Sequence, residues 1–222
     1  MNPNFQSFPQ TQTRAVETNK VLKNTYMLLS ATLAFSAVMA MASMYMAVPP
    51  MTYMIAVIAS MVLGMFVLPR TANSSAGIGV IFLITGLLGF GLGAILNMYM
   101  ALANGPEIIA TAFGGTGIIF LGLSGYALTT KRDFSFMGGF LFAGMLTVVI
   151  AIVANIFFAI PALSMAISAA IIMLMSGFIL FDTSRIINGG ETNYIMATYG
   201  LFLSLFNIFI SLLSLLGIMS DD

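Results

Sequence analysis

The stretch that decides the fold is Ile195–Gly217, IMATYGLFLSLFNIFISLLSLLG, which contains no charged side chain. An α-helix needs roughly 20 apolar residues to cross a hydrocarbon core about 30 Å thick, and this stretch supplies them. Lipid offers no hydrogen-bond partner to an open peptide group, so a chain that crosses it must be helical. The stretch is therefore predicted to be a transmembrane helix.

Six further apolar stretches of similar length precede it, separated by segments rich in Pro, Gly, Asn and Ser. Hydrophobic residues make up 60% of the chain and charged residues only 6%, whereas soluble domains carry about a quarter charged residues. The sequence predicts an all-α integral membrane protein with seven transmembrane helices in residues 25–218, a flexible cytoplasmic tail at 1–24 and a short acidic end at 219–222. The six earlier spans are Thr25–Met46, Met51–Leu68, Ile78–Met100, Glu107–Thr130, Phe136–Phe158 and Ala162–Asp182.

The basic residues predict how the chain is threaded. If successive spans alternate sides, all seven Lys and Arg residues fall on one side of the membrane. Cytoplasmic loops carry the excess of Lys and Arg, so we expect a cytoplasmic N-terminus and a periplasmic or extracellular C-terminus. The net charge is zero, and nothing points to nucleic acid. The basic residues are Arg14, Lys20, Lys23, Arg70, Lys131, Arg132 and Arg185.

The chain contains neither His nor Cys. This removes the commonest general base, the commonest zinc ligand and any thiolate nucleophile. The sequence therefore predicts a protein that is not an enzyme and that needs no cofactor for catalysis.

Asp182 is the candidate functional residue, because an ionisable side chain within a span is costly and marks a function by default. One interpretation pairs it with Arg185 at the cytoplasmic end of its helix. The other makes it a cation or proton site inside the bundle, with Ser204 and Asn207 of the last span as further oxygen ligands. Along ideal helices Asp182 and Ser204 lie at different depths, so this second interpretation requires a shifted, tilted or buried last helix.

Glycine is frequent in the third, fourth and fifth spans. Gly89 and Gly93 form a small-xxx-small pair, which permits close approach of two helix backbones. We expect the glycines of these three spans to serve tight packing within the bundle.

Several separate segments between about Lys20 and Gly217 are distinctive: DFSFMGG at Asp133–Gly139, SGFILFDTS at Ser176–Ser184 and LFLSLFNIF at Leu201–Phe209. In order and spacing they resemble the Bax inhibitor family. Two more are similar to a bacterial branch of the family, LKNTY at Leu22–Tyr26 and GGETNYI at Gly189–Ile195.

The resemblance implies a fold in which six helices surround a central C-terminal helix. It also implies two alternative functions. Members of the bacterial branch modulate FtsH, the membrane-anchored AAA protease of the inner membrane, and so regulate the degradation of membrane proteins. Other members are associated with a pH-sensitive calcium leak through two aspartates, of which the first matches Asp182 and the second falls at Ser204. We expect FtsH modulation, with a calcium or cation leak centred on Asp182 as the alternative and a purely structural scaffold as the third class.

Overall fold

A computed structural model describes the backbone of residues 10–220 and the side chains of residues 16–220. Seven helices in this part of the chain are long and apolar enough to cross a membrane, as predicted. The second crossing is made of two α-helices joined by a π-helical turn at Leu63–Val67. The α-helices are α1 Gln10–Tyr45, α2 Met51–Val62, α3 Leu68–Thr71, α4 Ser75–Met100, α5 Gly105–Thr130, α6 Gly138–Phe158, α7 Pro161–Ile187 and α8 Tyr194–Ser220.

Helix α1 corrects the prediction of a flexible tail over residues 1–24. It begins at Gln10, so residues 10–24 are helical, while residues 1–9 lie outside the described chain. Residues 10–24 include good helix formers such as Ala, Glu, Lys and Arg. Propagating a helix from an existing one avoids the cost of nucleation, so the membrane span extends into this polar segment. At the other end α8 reaches Ser220, and Asp221 and Asp222 are not described.

The π-helical turn of the second crossing has a local cause. Pro69 has no amide hydrogen, so it cannot donate to the carbonyl four residues earlier, and its ring crowds that carbonyl. The amide of Leu68 instead donates to the Leu63 carbonyl, five residues back. Gly64 lies within this turn, where the hydroxyl of Tyr199 from α8 packs against it. The irregular turn thus coincides with the place where the last helix approaches the second crossing.

The last helix lies inside the bundle, in line with the predicted central C-terminal helix. It packs against α1, α4, α5 and α7, and Tyr199 reaches the second crossing at Gly64. Helix α4 is also largely buried, because α1 and α2 both pack along it. Helix α6 packs mainly against α7, at the periphery. The core therefore centres on α8 and α4.

The predicted glycine packing is confirmed for α4. A Cβ built on Gly89 would lie 2.8 Å from the backbone carbonyl carbon of Ser36, and one built on Gly93 would lie 2.6 Å from the Cβ of Ser43. Both glycines therefore let α4 approach the backbone of α1 closely. The same expectation is wrong for four glycines of α5, whose built Cβ would have no other part of the described chain within 4 Å: Gly114, Gly117, Gly122 and Gly125.

Candidate functional site

Asp182 lies near the C-terminal end of α7 and faces α8. A Cβ built on Gly200 would come within 2.7 Å of its carboxylate oxygen Oδ2, so the carboxylate occupies the space that a larger residue 200 would fill. The side chain is half-buried. In the part of the chain that the structure describes, the carboxylate has neither a hydrogen bond nor an ion pair.

The close ion pair of Arg185 is with Glu191 rather than with Asp182, on which its guanidinium acts as a nearby charge. Its guanidinium forms an ion pair with Glu191 at 3.4 Å and lies 5.5 Å above the ring of Phe181. Arg185 pairs with Glu191 because of the turn that follows α7. Gly189 takes a positive φ of 73°, and the amides of Gly190 and Glu191 donate to the carbonyl of Arg185, which brings the Glu191 side chain back to the helix end.

The other two predicted site residues lie deeper along α8. Ser204 is buried one turn beyond Gly200, about 6 Å further along the helix axis. Asn207 donates its side-chain amide to the carbonyl of Leu203 in its own helix, at 2.8 Å. No hydrogen bond joins either residue to Asp182 within residues 16–220. The four-residue ion or proton site therefore stays a prediction, and the contact that the structure provides is between Asp182 and Gly200.

Among the described residues, Asp182 is not part of a cluster of acidic side chains. Calcium takes six to eight oxygen ligands, several of them from carboxylates. The described residues contain no group of three or more acidic, His or Cys side chains that could hold a metal ion. Asp182 as a calcium ligand thus stays a prediction without a supporting set of ligands.

Two residues that the sequence reasoning missed join the loops at this end of the bundle. The hydroxyl of Ser184 accepts a hydrogen bond from the amide of Phe134 at 2.9 Å and donates to the carbonyl of Arg132 at 3.1 Å. Asn193 donates its side-chain amide to the carbonyl of Ala72 at 3.0 Å. These bonds connect the end of α7 and the start of α8 to the two preceding loops on the same side.

Asn193 is also the N-cap of α8. Its side-chain oxygen accepts hydrogen bonds from the amides of Ile195 and Met196, at 2.9 and 3.1 Å. A sequence signal for this role exists, because an Asn directly before a long apolar run is a helix-start signal. No sequence signal predicts the hydrogen bond from Asn193 to the carbonyl of Ala72, because the two residues lie far apart in the chain.

The loops that Ser184 and Asn193 join, together with the helix ends beside them, carry the basic residues that follow α1 in the sequence. Arg70, Lys131, Arg132 and Arg185 therefore lie at one end, which we call the cationic end. Asp133 belongs to the same loops, and hydrogen bonds from the side chain and the backbone amide of Ser135 hold the pKa of its carboxyl below the ordinary value.

The fold and the cationic end define a multi-pass helical membrane protein built around a buried last helix. The family model described as inhibitor of apoptosis-promoting Bax1 matches residues 18–221. The chain therefore belongs to the Bax inhibitor family, and the resemblance inferred from its segments is confirmed.

Relatives of known name cover nearly the whole chain. The chain is 51% identical to the modulator of FtsH protease YccA of Escherichia coli K12, over 95% of each protein. A homologue from Escherichia coli O6:H1, with the same identity and coverage, is named inner membrane protein YccA. The chain is also 51% identical to an uncharacterized membrane protein of Vibrio cholerae, over 94% of each.

Proposed function

We propose that this protein modulates the membrane AAA protease FtsH in the bacterial inner membrane and is not itself an enzyme. The observation that carries the proposal is the 51% identity to a modulator of FtsH over 95% of both chains. The lack of His and Cys supports a regulatory rather than a catalytic role.

The cationic end is the part of the molecule that we assign to the cytoplasm, following the excess of basic residues. Helix α1 measures about 54 Å at 1.5 Å per residue, whereas a hydrocarbon core is about 30 Å thick. Its first turns therefore extend beyond the hydrocarbon core on the cationic side. We call residues 10–24 the arm, of which Val21 and Leu22 still pack against the core of the bundle. The arm is helical, so it offers a protease a folded contact surface.

The described face of the arm supplies groups for such a contact. Val16 is 68% exposed, and Lys20, one helical turn further on, is exposed as well. Protein interfaces bury apolar side chains at their core, and charges at their rim steer the two partners together. We propose that this face of the arm, together with the loops of the cationic end, contacts FtsH.

Co-purification from native membranes tests the proposal. Tagged wild-type protein is expected to recover FtsH, and the double variant Val16→Asn, Lys20→Gln is expected to recover several-fold less. Glu107→Gln, at the opposite end of the bundle, is the matched control and should recover as much as wild type. The proposal fails if wild type recovers no FtsH and deletion of the protein leaves the turnover of FtsH substrates unchanged.

A cation leak centred on Asp182 is the second candidate. The observation in its favour is a half-buried carboxylate without a hydrogen-bond or ion-pair partner among the described residues. Such a group is expensive inside a membrane and is usually kept for a function.

If this candidate is right, proteoliposomes should take up calcium or a monovalent cation. Asp182→Asn should then reduce the flux at least several-fold, and Ser204→Asp should increase it. Equal flux for wild type and Asp182→Asn would exclude the leak without affecting FtsH modulation.

A further inference from the structure

An apolar cleft of about 730 Å³ lies in the half of the bundle away from the cationic end. Its two walls are α1 and α5, and its floor is formed by α8 and the end of α4. Helices α1 and α5 each pack against α8 but not extensively against each other. The cleft therefore opens sideways, toward lipid. Met41 and Phe113, which are 60% and 73% exposed, flank the opening.

The lining excludes an ion or a polar ligand. Three aromatic side chains of α8 form the floor: Phe202, Phe206 and Phe209. Ser36 and Thr116 are the hydroxyl-bearing residues of the lining, and the Thr116 hydroxyl already donates to the carbonyl of Ala112 at 2.7 Å. A polar molecule bound here would lose its hydrogen bonds to water without replacement, at a cost of several kcal/mol.

The length of the cleft matches one leaflet. Its lining extends along α5 from Pro106 to Phe120 and along α1 from Leu33 to Met44, which is about 21 Å and about 16 Å at 1.5 Å per residue. Half of a hydrocarbon core is about 15 Å thick. Pro106 and Met44 lie near helix ends, so the cleft begins near one membrane surface and ends near the midplane.

This shape does not suit a transmembrane helix. Such a helix crosses both leaflets, whereas the lining of the cleft begins near one membrane surface and stops near the midplane. We propose that it binds an acyl chain of a phospholipid from the leaflet away from the cationic end. Met41, Met44 and Met100 in the lining suit this ligand, because flexible thioether side chains adapt to irregular apolar shapes.

Fluorescence quenching provides the test, because the chain has no Trp and a single introduced one reports without background. Phe206→Trp places the reporter in the floor of the cleft. The protein is reconstituted into vesicles of phosphatidylcholine brominated in the middle of its acyl chains, with unbrominated vesicles as reference. The proposal predicts strong quenching of this Trp, although residue 206 is only 8% exposed.

A matched pair of glycine variants separates the cleft from the general lipid surface. Gly117 lines the cleft and Gly122 does not, and a Cβ on either would have no other part of the described chain within 4 Å. Gly117→Leu should at least halve the quenching, whereas Gly122→Leu on the same helix should leave it unchanged. Phe209→Trp serves as the reporter if Phe206→Trp does not fold.

Equal quenching with Gly117→Leu and Gly122→Leu would overturn the proposal, since the reporter would then sense only bulk lipid. Absence of quenching in both would overturn it as well. Cross-links that join two copies through Met41 and Phe113, together with absent quenching, would assign the cleft to a second copy of the chain instead.

Discussion

The carboxylate of Asp182 fits beside α8 because residue 200 is a glycine and has no side chain. The 2.7 Å between Oδ2 and a Cβ built on residue 200 is closer than such atoms normally approach. Gly200→Ala should therefore displace the carboxylate and lower the free energy of unfolding by about 1–3 kcal/mol, as for other overpacked sites. Thermal unfolding in detergent micelles measures the change.

Gly79→Ala is the control. Gly79 lies in α4, and a Cβ built on it would have no other part of the described chain within 4 Å. The substitution should be neutral or stabilising by up to about 1 kcal/mol, from helix propensity alone. Removing the carboxylate with Asp182→Ala should relieve most of the cost of Gly200→Ala, since residues in contact do not behave additively. A Gly200→Ala protein as stable as Gly79→Ala would show that the two groups are not in contact.

Asn193 has two tasks, which a second pair of variants separates. Asn193→Ala removes the N-cap of α8 and the bonds to Ala72 and Asn73, and should lower the free energy of unfolding by about 1–2 kcal/mol. Asn73→Ala removes only its bond to Asn193 and should cost well under half as much. Equal losses from the two variants, measured by chemical or thermal unfolding, would contradict the capping role.

At the scale of single residues, Asp182 could be identified from the sequence as a candidate functional residue, but the residues that surround it could not. An acid in an apolar helix is visible in the sequence, and so is its i,i+3 neighbour Arg185. The observed partner of Arg185 is Glu191, and that pair forms only because the chain turns back at Gly189. The contact with Gly200 depends on the relative depth of two helices, which spacing along one helix does not determine.

The packing of α1 on α4 is the clearest interaction between two elements. Gly89→Ala places a methyl group 2.8 Å from the backbone carbonyl carbon of Ser36, and a backbone cannot move aside as a side chain can. The variant should lose about 2–3 kcal/mol of unfolding free energy, with Gly79→Ala on the same helix as the reference. Unchanged thermal stability of Gly89→Ala would mean that α1 and α4 lie further apart than described.

The transmembrane elements could be predicted because each one follows from the apolarity of its own residues. The extension of α1 to Gln10, the π-helical turn at Leu63–Val67 and the cleft between α1 and α5 could not be predicted in this way. The glycines of α5 show the limit most clearly. Glycine in a span predicts close packing when a neighbour is present, but the sequence does not show which face of a helix has a neighbour.

At the scale of the whole molecule, one end collects the basic loops and the helical arm. If this end is cytoplasmic, a reporter enzyme that is active only outside the cytosol should be active when fused to the C-terminus and inactive when fused to the N-terminus. Activity is measured in intact cells, with the amount of fusion protein as the control. The reverse pattern would contradict the orientation, and with it the placing of the arm beside a cytoplasmic protease domain.

The central claim is that this protein modulates FtsH, and degradation in a reconstituted membrane tests it most directly. FtsH and one membrane-protein substrate are placed in vesicles with increasing amounts of the purified protein, and the half-life of the substrate is followed. Protease occupied by this protein is less available to others, so we expect the half-life to rise at least two-fold with wild type and much less with Val16→Asn, Lys20→Gln. An unchanged half-life at every amount of the wild-type protein would contradict the claim.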